Sequence, residues 1–128
     1  MSTKKGLTFL EIFLVLFFVV ATVIIFFIQK TDLDTFHRDD ARKSAINALH
    51  YALEENYYKD HGYYPEFISP DTLTSIDASY FTDPAGYQLG DPRSSYSYQA
   101  ADCTNNQCQE YILKTSLEKE ATYIKYNN

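Results

Sequence analysis

Residues 7–28 read LTFLEIFLVLFFVVATVIIFFI, an apolar run broken only by Thr8, Glu11 and Thr22. As a helix at about 1.5 Å per residue it measures roughly 33 Å, enough to cross a bilayer core of about 30 Å. The run ends in Phe26-Phe27-Ile28-Gln29-Lys30. It therefore lacks the small-residue site at which a secretory signal is cut. Upstream stand Lys4 and Lys5 with no acid, whereas from residue 31 onward 8 Lys+Arg face 16 Asp+Glu. The positive-inside rule predicts a cytoplasmic N-terminus and an exterior C-terminal part, making the chain a single-pass membrane protein. An acidic exterior does not suit phosphate, so no direct nucleic-acid binding is expected.

With 128 residues, the chain has room for this segment and one small domain. Seven of the 9 Phe precede residue 40, and all 12 Tyr follow residue 50. Phe suits hydrocarbon, and Tyr suits a half-wet surface that satisfies its hydroxyl.

No Gly or Pro lies within residues 7–61, and Gly62 and Pro65 follow at once as stop signals. The pattern predicts a helix through that whole stretch, in which 7–29 cross the membrane and 30–61 continue as an amphipathic half. Ala41, Ala45, Ala48, Leu49 and Ala52 recur at three- and four-residue steps, joined by Ile46, Leu53 and Tyr57. Arg38, Arg42, Lys43, Glu54 and Glu55 read as the wet side. One stripe must be buried against a partner, which residues 62–128 have to supply. Residues 96–100, 111–117 and 121–126 predict an antiparallel meander of three or four strands, with Tyr111, Leu113 and Leu117 on one face. Residues 62–93, rich in turn residues, read as an ordered connecting loop. The expected class is α+β, a long N-terminal α-helix packed against a small antiparallel β-sheet.

Glu11 is the residue that hydropathy does not explain. A carboxylate in a spanning helix costs up to about 3 kcal/mol at the centre and is by default functional; near an end it reaches interfacial water. Lys4-Lys5-Gly6, then Leu7-Thr8-Phe9-Leu10-Glu11 and the apolar run, resembles the class III signal of type IV pilins and pseudopilins. The resemblance implies that 1–6 are a leader, that prepilin peptidase cuts between Gly6 and Leu7, and that the new N-terminus is methylated. It also implies that Glu11 directs filament assembly by meeting the Leu7 amine of a neighbouring subunit. Glycine before the scissile bond lets the backbone enter a tight protease site. Further along, Leu53-x3-Tyr57-x2-Asp60-x-Gly62-x-Tyr64-Pro65 resembles the helix-ending motif of the family, and Tyr80-x2-Asp83-Pro84-x-Gly86 resembles its D-P-x-G turn. Together they imply the pilin fold.

Cys103 and Cys108 enclose a polar tip between strand candidates on the exterior side, where a disulfide persists. Such a bond closes a loop of about six residues and contributes roughly 2 kcal/mol. No metal site is expected: the two cysteines have no nearby His, and His37, His50 and His61 lack ligand spacing. Asp32/Asp34 and Asp39/Asp40 lack the glycine and distal acid of a calcium loop and read as a solvated face. Neither a catalytic motif nor a cofactor signature is present, so the chain is expected to be a substrate of enzymes and not an enzyme. The tyrosines read first as a thin core in place of Leu and Trp, and second as adhesive contact area.

These features predict a structural subunit of a type IV pilus or pilus-like filament. Its expected partners are other pilin subunits, prepilin peptidase/methyltransferase, the inner-membrane assembly machinery, and the membrane before assembly. The alternatives are a pseudopilin of a type II secretion or competence system, and a lone single-pass membrane-anchored extracellular binding protein.

Overall fold

A computed structural model describes residue 6 and residues 8–128. The main helix α1 runs Phe9–Tyr51 and continues without a break through a π-helical segment, Ala52–Tyr57, into the short α2, Tyr58–His61. It stops where glycine was expected to stop it. Gly62 adopts φ 76°, a left-handed conformation that side chains with a Cβ resist, and its N–H bonds the Tyr58 carbonyl at 2.7 Å.

The chain divides into two units, residues 1–35 and residues 36–128. In the first, every large apolar side chain from Phe9 to Leu33 is exposed. This helix is long and apolar enough to cross a membrane, and none of its apolar stretch is buried within the protein. Thr22 and Thr31 spend their hydroxyls on the carbonyls of Phe18 and Phe27, four residues back.

The second unit is the head. Its sheet contains β1 (Tyr64–Pro65), β2 (Tyr96–Thr104), β3 (Gln107–Thr115) and β4 (Tyr123–Tyr126). All pairs are antiparallel. β2 covers one side of β3, while β4 and β1 share the other, opposite residues 112–115 and 107–108 respectively. The predicted meander is therefore present, with β1 as an added fourth strand. Tyr111 and Leu113 face the core as expected, but β3 ends at Thr115 and Leu117 lies beyond it, half-buried. The last strand begins at Tyr123, two residues later than its sequence suggests.

Ile46, Leu49, Ala52 and Leu53 supply the helix side of the core; Tyr64, Tyr96, Tyr111 and Leu113 supply the sheet side. The connecting loop is ordered by three buried plugs, Ile68, Leu73 and Phe81. The helix stripe is rotated from its sequence reading, with Ala41 exposed and Ala48 half-buried. Asp39 and Arg42, read as solvated, are 4% and 7% exposed.

Candidate functional site

Gly6 is exposed and adopts no regular structure; Leu7, the expected mature N-terminus, lies outside the described residues. Glu11 sits in the first turn of α1. Its Oε2 accepts the Thr8 backbone N–H at 2.8 Å and the Thr8 hydroxyl at 3.1 Å. Thr8-Phe9-Leu10-Glu11 has the capping-box spacing, in which an acid in the first turn satisfies the orphan N–H ahead of the helix. The carboxylate is thus occupied within its own chain. The T-x-x-E spacing at Thr8–Glu11 is the signal in the sequence that marks this cap.

Within the head, Cys103 and Cys108 are register partners on β2 and β3 and form a disulfide, with Cα atoms 3.9 Å apart. The turn beyond them is Asn105-Asn106, at φ 51° and 63°. A two-residue hairpin of this kind requires positive φ at both positions, which Asn tolerates better than most residues.

Three polar groups fix the head around its core. Asp39 accepts the backbone N–H groups of Glu118 and Lys119 at 3.0 Å and the Arg42 guanidinium at 2.8 Å. Arg42 also reaches Glu118 at 2.8 Å, while Arg38 forks onto both Glu118 oxygens at 2.8 and 2.6 Å. Lys43 pairs with Glu120 at 2.7 Å. Burial alone would raise the Asp39 carboxyl; the Glu118 and Lys119 donors and Arg42 outweigh it and hold the group below its usual range. Arg38 and Arg42 bring Glu118 down to about 2.

Asp83 organises the D-P-x-G turn. It is 5% exposed and accepts from the N–H groups of Ala85, Tyr87 and Ser95 and from the Ser95 hydroxyl, at 2.8–3.1 Å. Those donors overcome burial and keep its pKa depressed.

The third group is aromatic. The Tyr111 hydroxyl donates to Glu54 at 2.8 Å and lies 2.7 Å from His50 Nδ1; the Tyr64 hydroxyl also donates to Glu54, at 3.0 Å. Tyr111 has one hydroxyl proton, so with that O–H directed at Glu54 the His50 contact requires His50 to donate from Nδ1–H. Burial lowers the His50 pKa, against the opposing charge of Glu54. Tyr64 packs edge-on against Tyr111, and Tyr98 stacks on it. Burial pushes Tyr96 up to about 12 and raises Tyr64, Tyr98 and Tyr111 further. These four tyrosines serve as core, as their composition suggested. The π segment ends the alignment of α1, because each π turn takes an extra residue and re-aims the side chains beyond it.

His61 stacks on Tyr57 at 4.2 Å between ring centres, and His37 lies against Phe36. Among the described residues, no group of three or more His, Cys, Asp and Glu converges as a metal site would require. Compared with protein-family models, with curated proteins and with solved structures, the chain has no match.

Proposed function

We propose that the chain is a structural subunit of a type IV pilus or pilus-like filament and that its head adopts the pilin fold. The observation that carries the reading is a helix whose apolar, fully exposed stretch holds one carboxylate, Glu11, in its first turn and whose later turns core the head. In this reading prepilin peptidase removes 1–6 on the cytoplasmic side and the Leu7 amine is methylated. The mature subunit waits in the bilayer with its head outside and Glu11 held by Thr8. On assembly the carboxylate exchanges Thr8 for the Leu7 ammonium of a neighbour, so that a paired charge replaces a solitary one in hydrocarbon. The apolar helices then bundle, and the heads form the extracellular surface. The chain is a substrate of its processing enzymes and performs no catalysis itself. A pseudopilus of a type II secretion or competence system uses the same logic.

One observation favours a second reading. The Thr8–Glu11 cap satisfies the carboxylate without any neighbour, as a lone single-pass binding protein would need. Shearing cells and analysing the supernatant by mass spectrometry separates the two. A filament subunit appears there, beginning at Leu7 and N-methylated. A chain confined to membranes with Met1 intact refutes the proposal.

A further inference from the structure

Strand β2 pairs with β3 on one side only, which leaves its other edge open. The Ser116 N–H donates to the Ser95 carbonyl at 3.2 Å. Carrying that alternation through the pairs Ser97↔Lys114 and Gln99↔Ile112 turns the peptide groups of Ser97 and Gln99 toward β3. Those of Tyr98 and Ala100 then face outward, and among the described residues they meet no main-chain partner beyond the sheet. The Tyr96 N–H turns back to the Ser94 hydroxyl at 3.1 Å and closes the open stretch at that end.

Natural edges are blunted by Lys, Pro or a bulge. Within β2 there is neither Lys nor Pro; its one irregularity is Asp102, at φ 52° and without a register partner, which lies beyond the open stretch and is the strand's only charge. Two open grooves of about 480 Å³ flank the edge, one beside Tyr96–Tyr98 and one beside Gln99–Ala101. Phe67 borders both and is 77% exposed, more than any other large apolar side chain of residues 36–128. A ring left this wet beside an unpaired edge is placed to pack on whatever occupies it.

Charge selects the occupant. Glu66 and Asp102 flank the edge without an ion-pair partner among the described residues, and no Lys or Arg lines either groove. Nearby Arg93 is committed to Asp91 at 2.9 Å and to the face of Tyr87. A second copy of β2 would bring the same acids and no groove-lining cation to pair with them, so charge favours a basic strand over self-pairing. We propose that the free edge of β2 accepts an extended, basic peptide segment of a partner protein as an added strand, with Phe67 packing across it. The proposal uses the head alone and does not rest on the filament reading.

The test uses the isotope-labelled full chain in detergent micelles and an amidated seven-residue peptide of alternating Val and Lys. The expected result is amide shifts and slowed hydrogen exchange centred on Tyr98 and Ala100. Ala100→Pro removes an outward N–H at an edge position, where proline is tolerated; it should weaken binding about tenfold. Phe67→Ser, at an exposed position that leaves the core intact, should weaken it similarly. No perturbation of β2 at millimolar peptide overturns the proposal, as does wild-type binding by both variants. Equal binding of a Val/Glu peptide overturns the charge argument and the basic partner with it. Concentration-dependent protection of the same amides without peptide assigns the edge to a second copy instead. Peptide binding and shearing are independent readouts, so failure of either proposal leaves the other to be judged separately.

Discussion

Replacing Asp39 by Ala tests whether the buried polar clamp holds the head closed. The carboxylate accepts two backbone N–H groups and the Arg42 guanidinium, all at 2.8–3.1 Å, while only 4% exposed. Hydrogen bonds to a charged group contribute about 1.5–3 kcal/mol each, and breaking a buried ion pair costs about 3–5 kcal/mol. Two offsets reduce the total. Arg42 keeps Glu118, and the freed N–H groups of Glu118 and Lys119 belong to exposed residues that water can reach. The expected loss is about 3 kcal/mol, a large share of the roughly 5–15 kcal/mol typical of a domain. It corresponds to a fall in Tm of about 15 °C. Asp39→Asn keeps one acceptor oxygen without the charge and should lose about half as much. Urea unfolding in detergent micelles, followed by the near-ultraviolet dichroism of the tyrosine-rich head, measures both. If Asp39→Ala unfolds within about 0.5 kcal/mol of wild type, the clamp contributes nothing measurable and the reasoning fails.

Glu11→Ala should leave membrane insertion intact or improve it and should still be cut after Gly6, yet filament yield should collapse, because the neighbour's ammonium would be unpaired at a cost of about 3–5 kcal/mol per subunit; wild-type yield in the sheared fraction would make Glu11 only a helix cap. Acid should destabilise the head: folding depresses the Asp39, Asp83 and Glu118 pKa values, so their contribution is complete above the unfolded values of 3.8 and 4.5 and disappears as pH falls through the folded ones, about 2 for Glu118. Alkali should destabilise the head as well, through shifts of the opposite sign: the raised tyrosines stabilise fully below pH 10.0 and lose that contribution as pH passes their folded values, about 12 for Tyr96; phenolate absorbance should show these four titrating only with unfolding. The Cys103→Ser, Cys108→Ser double variant should lose about 2 kcal/mol in the same urea assay, and an unchanged midpoint would deny the disulfide a stabilising role.

Local signals in the sequence were enough to locate the helix end, the hairpin and most of the strands. The absence of Gly and Pro through residue 61, then Gly62, set the helix boundary, and the cysteines with their polar tip marked the hairpin. Distant partners were not legible. Asp39 and Arg42 are charged residues on a helix, which local pattern assigns to solvent; only the turn at residues 118–120 explains their burial. The π segment left no compositional trace, since Ala-Leu-Glu-Glu-Asn-Tyr reads as ordinary helix. At the candidate assembly site the cost of a carboxylate in hydrocarbon marks Glu11 in the sequence, but that cost points outward to a neighbour, whereas its partner in the structure is Thr8, three residues back.

The clamp also bears on when the head can form during synthesis. Arg38, Asp39, Arg42, Lys43 and Asn47 take their partners from residues 118–123, a separation of 76–80 residues. Closing a loop of that length costs about 4 kcal/mol in chain entropy before any contact offsets it. The first turns of the head helix therefore lack these partners until residues 118–123 have left the ribosome. The β2–β3 hairpin, whose contacts are local, can pair well before that. Closure of the head consequently waits for residues 118–123, and a chain interrupted before residue 118 leaves Asp39 and Arg42 without the turn that receives them.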